Sequence, residues 1–432
     1  MTDPLVFVAT NDLVSHTRGR AVTAAAEPSV LKSGVGWVPA NLALTATGAI
    51  SEDNIFGSTG DLRLLPDDQA RFDLPATDQA SGLRMYLADQ VTPDGEAWGG
   101  CPRTFLRGAL DRLREEAGLE VTASFEHEFT MPMPFDTPPF SLERLRAAEP
   151  LGSRLMERLA GLGLDPENWL PEYGDNQFEV TLKPAPGLVA ADRAVILRDT
   201  VRDLARELGT RASFSPLPDP NGSGNGVHVH ISLRHIDSGE PALYDENGPA
   251  RLSELGRKFA AGILNHAEAL LAITAPSPIS YLRLTPHRWS AGGVFLADRN
   301  REAMLRICPV VGLSSSPPSD QLHLEFRAAD AVANPWMVLG ALLHAGLSGL
   351  GDEHGAPAVV HPEDMSDEDV ASTPGLPTSL AQALEALEND EDACGWFDPV
   401  LLTTYLQVKR AELQQVSNMD ERERCEFVGS LY

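Results

Sequence analysis

The chain reads as an α+β protein, and three observations carry that reading. Several strand-like segments carry charged or metal-competent side chains at every second position. Long amphipathic helices are interleaved with them. The first hundred residues read as short strands and turns with no comparable helix. The 432 residues, 43% hydrophobic and 22% charged, suffice for one large or two ordinary domains with ample core. Residues 1–100 are expected to form a small β-rich domain and residues 101–432 a larger α+β domain.

In the first domain Leu5–Ala9 is a short apolar strand. Asn11–Arg20 is polar and turn-like, and 61–67 and 84–89 add two strands with alternation or turn endings. In the second, 102–118 is an amphipathic helix with a stripe of Phe105, Leu106, Ala109, Leu110 and Leu113, stopped by Gly118. Further helices are expected over 141–161, 188–208, 252–274, 335–350, 380–387 and 399–416. An acidic, proline-rich loop follows Gly351 to about Gly375.

The chemistry-bearing strands come between these helices. Residues 221–226 form a loop of glycines and asparagines able to approach a ligand closely. The strand that follows buries Val227, Val229, Ile231 and Leu233 on one side and presents His228, His230 and Ser232 on the other. Glu126 and Glu128 share a face in 123–129, Gln177 and Glu179 in 175–182, and His323, Glu325 and Arg327 in 323–327. A sheet with these faces inward lines a cavity with carboxylates, imidazoles and arginines. Crowded carboxylates need cations, and oxygen-rich donors with an occasional histidine suit Mg²⁺ or Mn²⁺.

The net charge of −28 argues against sequence-independent binding of nucleic acid or of an anionic membrane, which needs a basic face. Four scattered cysteines without a CxxC pair suit a reducing cytoplasm. No signal peptide is evident at the N-terminus, and the most apolar stretch, 331–350, reads as a buried helix. There is no Walker loop and no dinucleotide fingerprint.

The strand pairs, the glycine loop before His228, the run from Tyr281-Leu-Arg-Leu-Thr-Pro through Asn300-Arg-Glu-Ala-Met-Leu-Arg-Ile, and Glu325-Phe-Arg-Ala-Ala-Asp-Ala-Val-Ala-Asn-Pro-Trp together resemble the glutamine synthetase superfamily, in order and over nearly the whole chain. The resemblance implies an N-terminal β-grasp domain and a catalytic domain built on a curved, antiparallel, barrel-like sheet with flanking helices. It implies ATP as co-substrate and two or three divalent cations, one held by Glu126, His228 and Glu325 and another by Glu128, Glu172 and Glu179. It places His230, Ser232 and Glu167 at the nucleotide and Arg301 and Arg306 at the phosphates. Arg283, Arg327, Gly224 and Ser223 fall at the amino-acid substrate, with Asn221 the alternative to Ser223 if the loop is longer. Asp12 falls at the ammonium site of a neighbouring subunit. The implied assembly is a ring, with hexamers stacked and sites shared.

Four departures matter. In Glu172-Tyr-Gly-Asp-Asn-Gln-Phe-Glu179 the family's Pro-Gly is replaced by Asp175-Asn176. The family's flap glutamate, six residues after the arginine, is Trp289 here, which suits an organic amine better than bare ammonium. A lysine and an arginine upstream of the last metal glutamate are Asp320 and His323, and no adenylylation tyrosine is matched in 365–370. The expectation is an ATP-dependent ligase that phosphorylates the γ-carboxylate of glutamate, or a close analogue, and couples it to an amine. Asp12 or Glu172 would take the amine's proton, with Arg301 also at the reacting groups and a flap around 287–292 closing over the acyl phosphate. The alternatives are an ammonium-using glutamine synthetase, a non-catalytic relative and a divalent-metal hydrolase.

Overall fold

The computed structural model describes residues 4–77, 80–132, 137–285, 290–351, 357–361 and 373–432. Trp289, with the rest of 287–289 of the expected flap, and most of the acidic loop after Gly351 lie outside the described residues.

The N-terminal part is a five-stranded sheet: β1 (Leu5–Asn11), β2 (Thr17–Val22), β3 (Val35–Trp37), β4 (Leu62–Leu74) and β5 (Leu83–Val91), in the order β2-β1-β5-β4-β3. β1 and β5 run parallel and the other pairs antiparallel. This is the β-grasp arrangement. One face, with Val8, Leu64 and Ala88, packs on Val30 of the short helix Glu27–Ser33. The other, with Ala9, Phe72, Met85 and Leu87, joins the main core. The Arg18-Gly19-Arg20 segment, expected as a turn, lies in β2 with Gly19 opposite Ala9. A Cβ on Gly19 would stand 2.1 Å from the Val8 carbonyl oxygen, so the glycine serves a close strand approach rather than a bend.

The second sheet holds β6 (Leu119–Thr130), β7 (Pro166–Pro171), β8 (Gln177–Leu182), β9 (Ala185–Pro186), β10 (Val227–His235), β11 (Gly293–Asp298), β12 (Ala303–Ile307) and β13 (Leu324–Ala329). Its order is β11-β12-β13-β10-β6-β8-β7, with β9 on β6. All pairs are antiparallel except β11–β12. Register does the positioning. His228 lies opposite Glu126, His230 and Arg306 each opposite Glu325, and Glu128 opposite Glu179. Because directly opposed residues point to the same face of a sheet, five strands deliver their polar side chains to one place.

The reverse face is apolar, with Phe125, Phe129, Phe178, Val180, Val229, Ile231 and Phe326 buried. Helices Pro102–Ala117, Gly187–Glu207, Glu254–Asn265 and Pro335–Gly351 complete the main core. Gly118 takes a left-handed conformation and ends the first of them, as expected. Two expected helices are split. The 141–161 stretch is Leu142–Ala147 and Leu151–Gly161, because Pro150 has no N–H to continue the ladder. The 252–274 stretch is Glu254–Asn265 and Ala267–Thr274. Ser253 caps the first segment, and His266 leaves helical geometry with its Nδ1 2.6 Å from Asp390. Among the described residues no helix is long and apolar enough to cross a membrane.

Candidate active site

A cavity of about 690 Å³ opens over the polar face of the second sheet. Its walls include Glu126, Glu128, Glu172, Glu179, His228 and Glu325, the whole expected cation-binding set. His230, Arg301 and Arg306 also line it, as do Ser223, Gly224, Arg283 and Arg327. Three residues expected at the site do not line it within one chain. Glu167 is exposed on β7, and Ser232 is half-buried two positions beyond His230. Asp12 is buried in the loop after β1, where its carboxylate accepts from the backbone N–H of Val14 and His16 and pairs with Arg18. The contact expected of Asp12 is with the cavity of a neighbouring subunit.

The carboxylates fall into two groups. Glu126 and Glu325 are compensated. Glu126 meets His228 Nδ1 at 2.8 Å and His230 Nε2 at 3.4 Å, and Glu325 pairs with Arg306 and Arg327. Burial opposes charge on Glu126, but the hydrogen bonds from the two imidazoles hold its carboxyl well below the usual range. Glu325 is likewise held low against burial, chiefly by Arg327 and then His228. Glu179 and Glu172 are the reverse. Burial, then the charges of Glu126, Glu128 and Glu172, push the Glu179 carboxyl up to about 11. Burial, with Glu128 and Glu126 nearby, raises Glu172. A cluster that cannot fully ionise by itself is what a cation site looks like before the charge arrives. The donor set, mostly carboxylate with imidazole at one end, fits a hard divalent ion.

Gly226 N–H donates to Glu128 Oε2 at 2.6 Å, and Gln177 Nε2 donates to the Gly224 carbonyl at 2.8 Å. These bonds tie the glycine loop to β6 and β8. A Cβ on Gly224 would stand 2.4 Å from Arg283 Cγ, so the glycine is what lets that arginine pass. Arg283 Nη2 donates to the Ala329 carbonyl, while its buried Nε, like that of Arg306, has no hydrogen-bond partner among the described residues. Two arginines with donors to spare suit an anionic ligand.

The turn carrying Glu172 is built here without the Pro-Gly pair. Asn176 takes the left-handed conformation that asparagine tolerates, and Gly174 N–H donates to Gln177 Oε1 at 2.9 Å. Buried Arg144 clamps it by donating to the carbonyls of Glu172 and Gly174. Arg144 was invisible as a site residue, being one arginine among many on a helix. Gln177 was legible as the i−2 neighbour of Glu179. Phe140 and Tyr173, an edge-to-face pair with centroids 4.7 Å apart at the rim, carried no sequence signal.

Comparison with known proteins fits this geometry. Residues 3–98 match the family "Glutamine synthetase N-terminal domain", and residues 99–427 match "Glutamine synthetase, catalytic domain". The chain belongs to the glutamine synthetase family, a family of ligases that use ATP and divalent metals. It is 31% identical over 440 residues to the gamma-glutamylpolyamine synthetase GlnA3 of Streptomyces coelicolor, covering 96% of this chain and 91% of the relative. It is 31% identical over 368 residues to the glutamine synthetase of Methanocaldococcus jannaschii, covering 82% and 79%. Among solved structures, a novel glutamine synthase homolog superposes with a TM-score of 0.93 at 42% identity, covering 100% and 99%. GmaS in complex with ADP gives 0.84 at 26% identity, covering 98% and 96%.

Proposed function

We propose that the chain is an ATP-dependent ligase joining the γ-carboxylate of glutamate, or a close analogue, to an organic amine, with release of ADP and phosphate. The observation that carries this is the convergence of five carboxylates and four arginines on one cavity. Phosphoryl transfer to a carboxylate unites two anions and needs that density of neutralising groups.

Glu126, His228 and Glu325, and Glu128, Glu172 and Glu179, would hold the divalent ions, which supply charge neutralisation at the phosphates. Arg301 and Arg306 bind phosphate oxygens, with His230, Ser232 and Glu167 toward the nucleotide. Arg283 and Arg327 hold the amino acid's carboxylate beside Ser223 and Gly224. Glu172, whose carboxyl burial raises above its ordinary value, would accept the amine's proton, with Asp12 of a neighbouring subunit the other candidate. Phe140 and Tyr173 line the same cavity as Glu172 and offer π-surface that suits an alkylammonium group, and Trp289 belongs to the same proposal. A stacked-hexamer assembly in the cytoplasm completes it. The four cysteines are free thiols, as a reducing compartment keeps them.

The experiment is phosphate release from ATP with Mg²⁺ and glutamate, across ammonium and a panel of mono- and polyamines, with product mass checked. The expected result is strong turnover with one organic-amine class and little with ammonium. Ammonium as the best acceptor would make the chain a glutamine synthetase proper. Phosphate release that needs no amine would end the ligase reading.

A further inference from the structure

Beside the carboxylates stands a second donor set of different chemistry. Cys308 just after β12, His323 just before β13 and His230 on β10 bring the thiol sulfur and one nitrogen from each ring within 4.8 Å of one another. The placement follows from the sheet: β12, β13 and β10 are consecutive neighbours, and Cys308 N–H donates to the His323 carbonyl at 3.1 Å. The set is organised rather than accidental. His323 Nδ1 lies 2.7 Å from the Gln321 carbonyl oxygen, so Nδ1 carries the proton and Nε2 keeps its lone pair. That backbone carbonyl is the orienting partner that ligating histidines use. The rings of His230 and His323 lie 5.1 Å apart, and Cys308 is 6% exposed.

We propose that His230, Cys308 and His323 form a zinc(II) site in the wall of the cavity, separate in chemistry from the carboxylate-held ions. A thiolate with two imidazoles selects a borderline or soft ion and rejects Mg²⁺, which wants oxygen. Tetrahedral zinc needs its sulfur and nitrogen donors roughly 3.5 Å apart, so side-chain adjustments of about 1 Å close the site. Three protein ligands leave a fourth position for water. His230 also belongs to the group Glu126, His230 and Glu325, so zinc here draws that imidazole away from the nucleotide end of the cavity. Inhibition of turnover follows. That consequence rests on the ligase reading; zinc binding itself does not.

The test uses the full chain, stripped of metal and then saturated with Mg²⁺ to fill the carboxylate sites. Titration with Co²⁺ should give one equivalent of tetrahedral cobalt with a near-ultraviolet sulfur-to-cobalt charge-transfer band, bleached by Zn²⁺. The band should vanish in Cys308→Ser and persist in Cys394→Ser, and His323→Gln should weaken cobalt binding at least tenfold. No thiolate band in the folded wild type, or a band that survives Cys308→Ser, overturns the site. In the turnover assay, zinc should inhibit wild type at least tenfold more strongly than Cys308→Ser; equal inhibition removes the functional consequence. A chain that proves inactive with every acceptor still reports the site through cobalt, so the two failures are distinguishable.

Discussion

Two buried ionic clusters serve opposite ends. Where β4 and β5 meet the helices Pro102–Ala117 and Gly187–Glu207, Arg103 is 1% exposed and donates to Asp192, Asp89 and Asp67, and Arg107 pairs with Asp67 and Asp89. Asp192 also accepts from the Trp336 indole N–H at 2.8 Å. Among the described residues those guanidinium and carboxylate groups pair with one another. In the cavity, Glu126, Glu128, Glu172 and Glu179 crowd together, and among the described residues Arg283 and Arg306 keep unpaired Nε donors. The same residue types hold the fold together when their charges close on themselves and make a binding site when they do not.

That contrast can be broken from either side. Asp192→Ala leaves Arg103 under-compensated and the Trp336 N–H without its acceptor. It should lower unfolding stability by about 3 kcal/mol in chemical denaturation, while the folded fraction keeps ATP-dependent turnover within a few-fold. Glu179→Gln should do the reverse. Turnover should fall at least about 100-fold, on the order of 3 kcal/mol of transition-state stabilisation, with the fold intact by circular dichroism. Metal removal sharpens the point. Mg²⁺ at roughly a hundred times its dissociation constant should stabilise the wild type by about 2.7 kcal/mol over the chelated protein, and much of that gain should disappear in Glu179→Gln. Equal stabilisation of both would show that Glu179 holds no ion.

The smallest effect concerns acid. Burial, with Arg112 Nη1 3.0 Å from its Nδ1, lowers His344 to about 4. Between pH 6.5 and 4 the unfolded chain therefore binds a proton that the native state does not, and stability falls as pH falls through that window. His344→Phe, which can keep the stack on Trp396, should lose roughly 1–2 kcal/mol less than wild type between pH 7.5 and 4.5. A parallel loss in both proteins would assign the acid limb elsewhere.

Much of the site was legible because strand alternation is local. His228 and His230, Glu126 and Glu128, Gln177 and Glu179, and Glu325 and Arg327 each fall on one face by spacing alone, and each pair lines the cavity. What failed to show was whatever depended on a distant partner. His266 breaks a helix beside Asp390, 124 residues away, and Arg144 clamps a turn some thirty residues on. Gly19 looked like a bend because its partner strand was unknown.

The sequence by itself determined the fold class, the periodic faces and the inventory of carboxylates, imidazoles and arginines. These rest on residue type and on spacing of two or about four positions, which the backbone enforces wherever the segment lies. Tertiary structure alone decided which faces meet. Strand order and register set Glu325 between two arginines, crowded Glu179 among three carboxylates, and brought Cys308 to His230 across β13. Charge state follows from burial and from neighbours within a few ångströms, and neither is written in the local sequence.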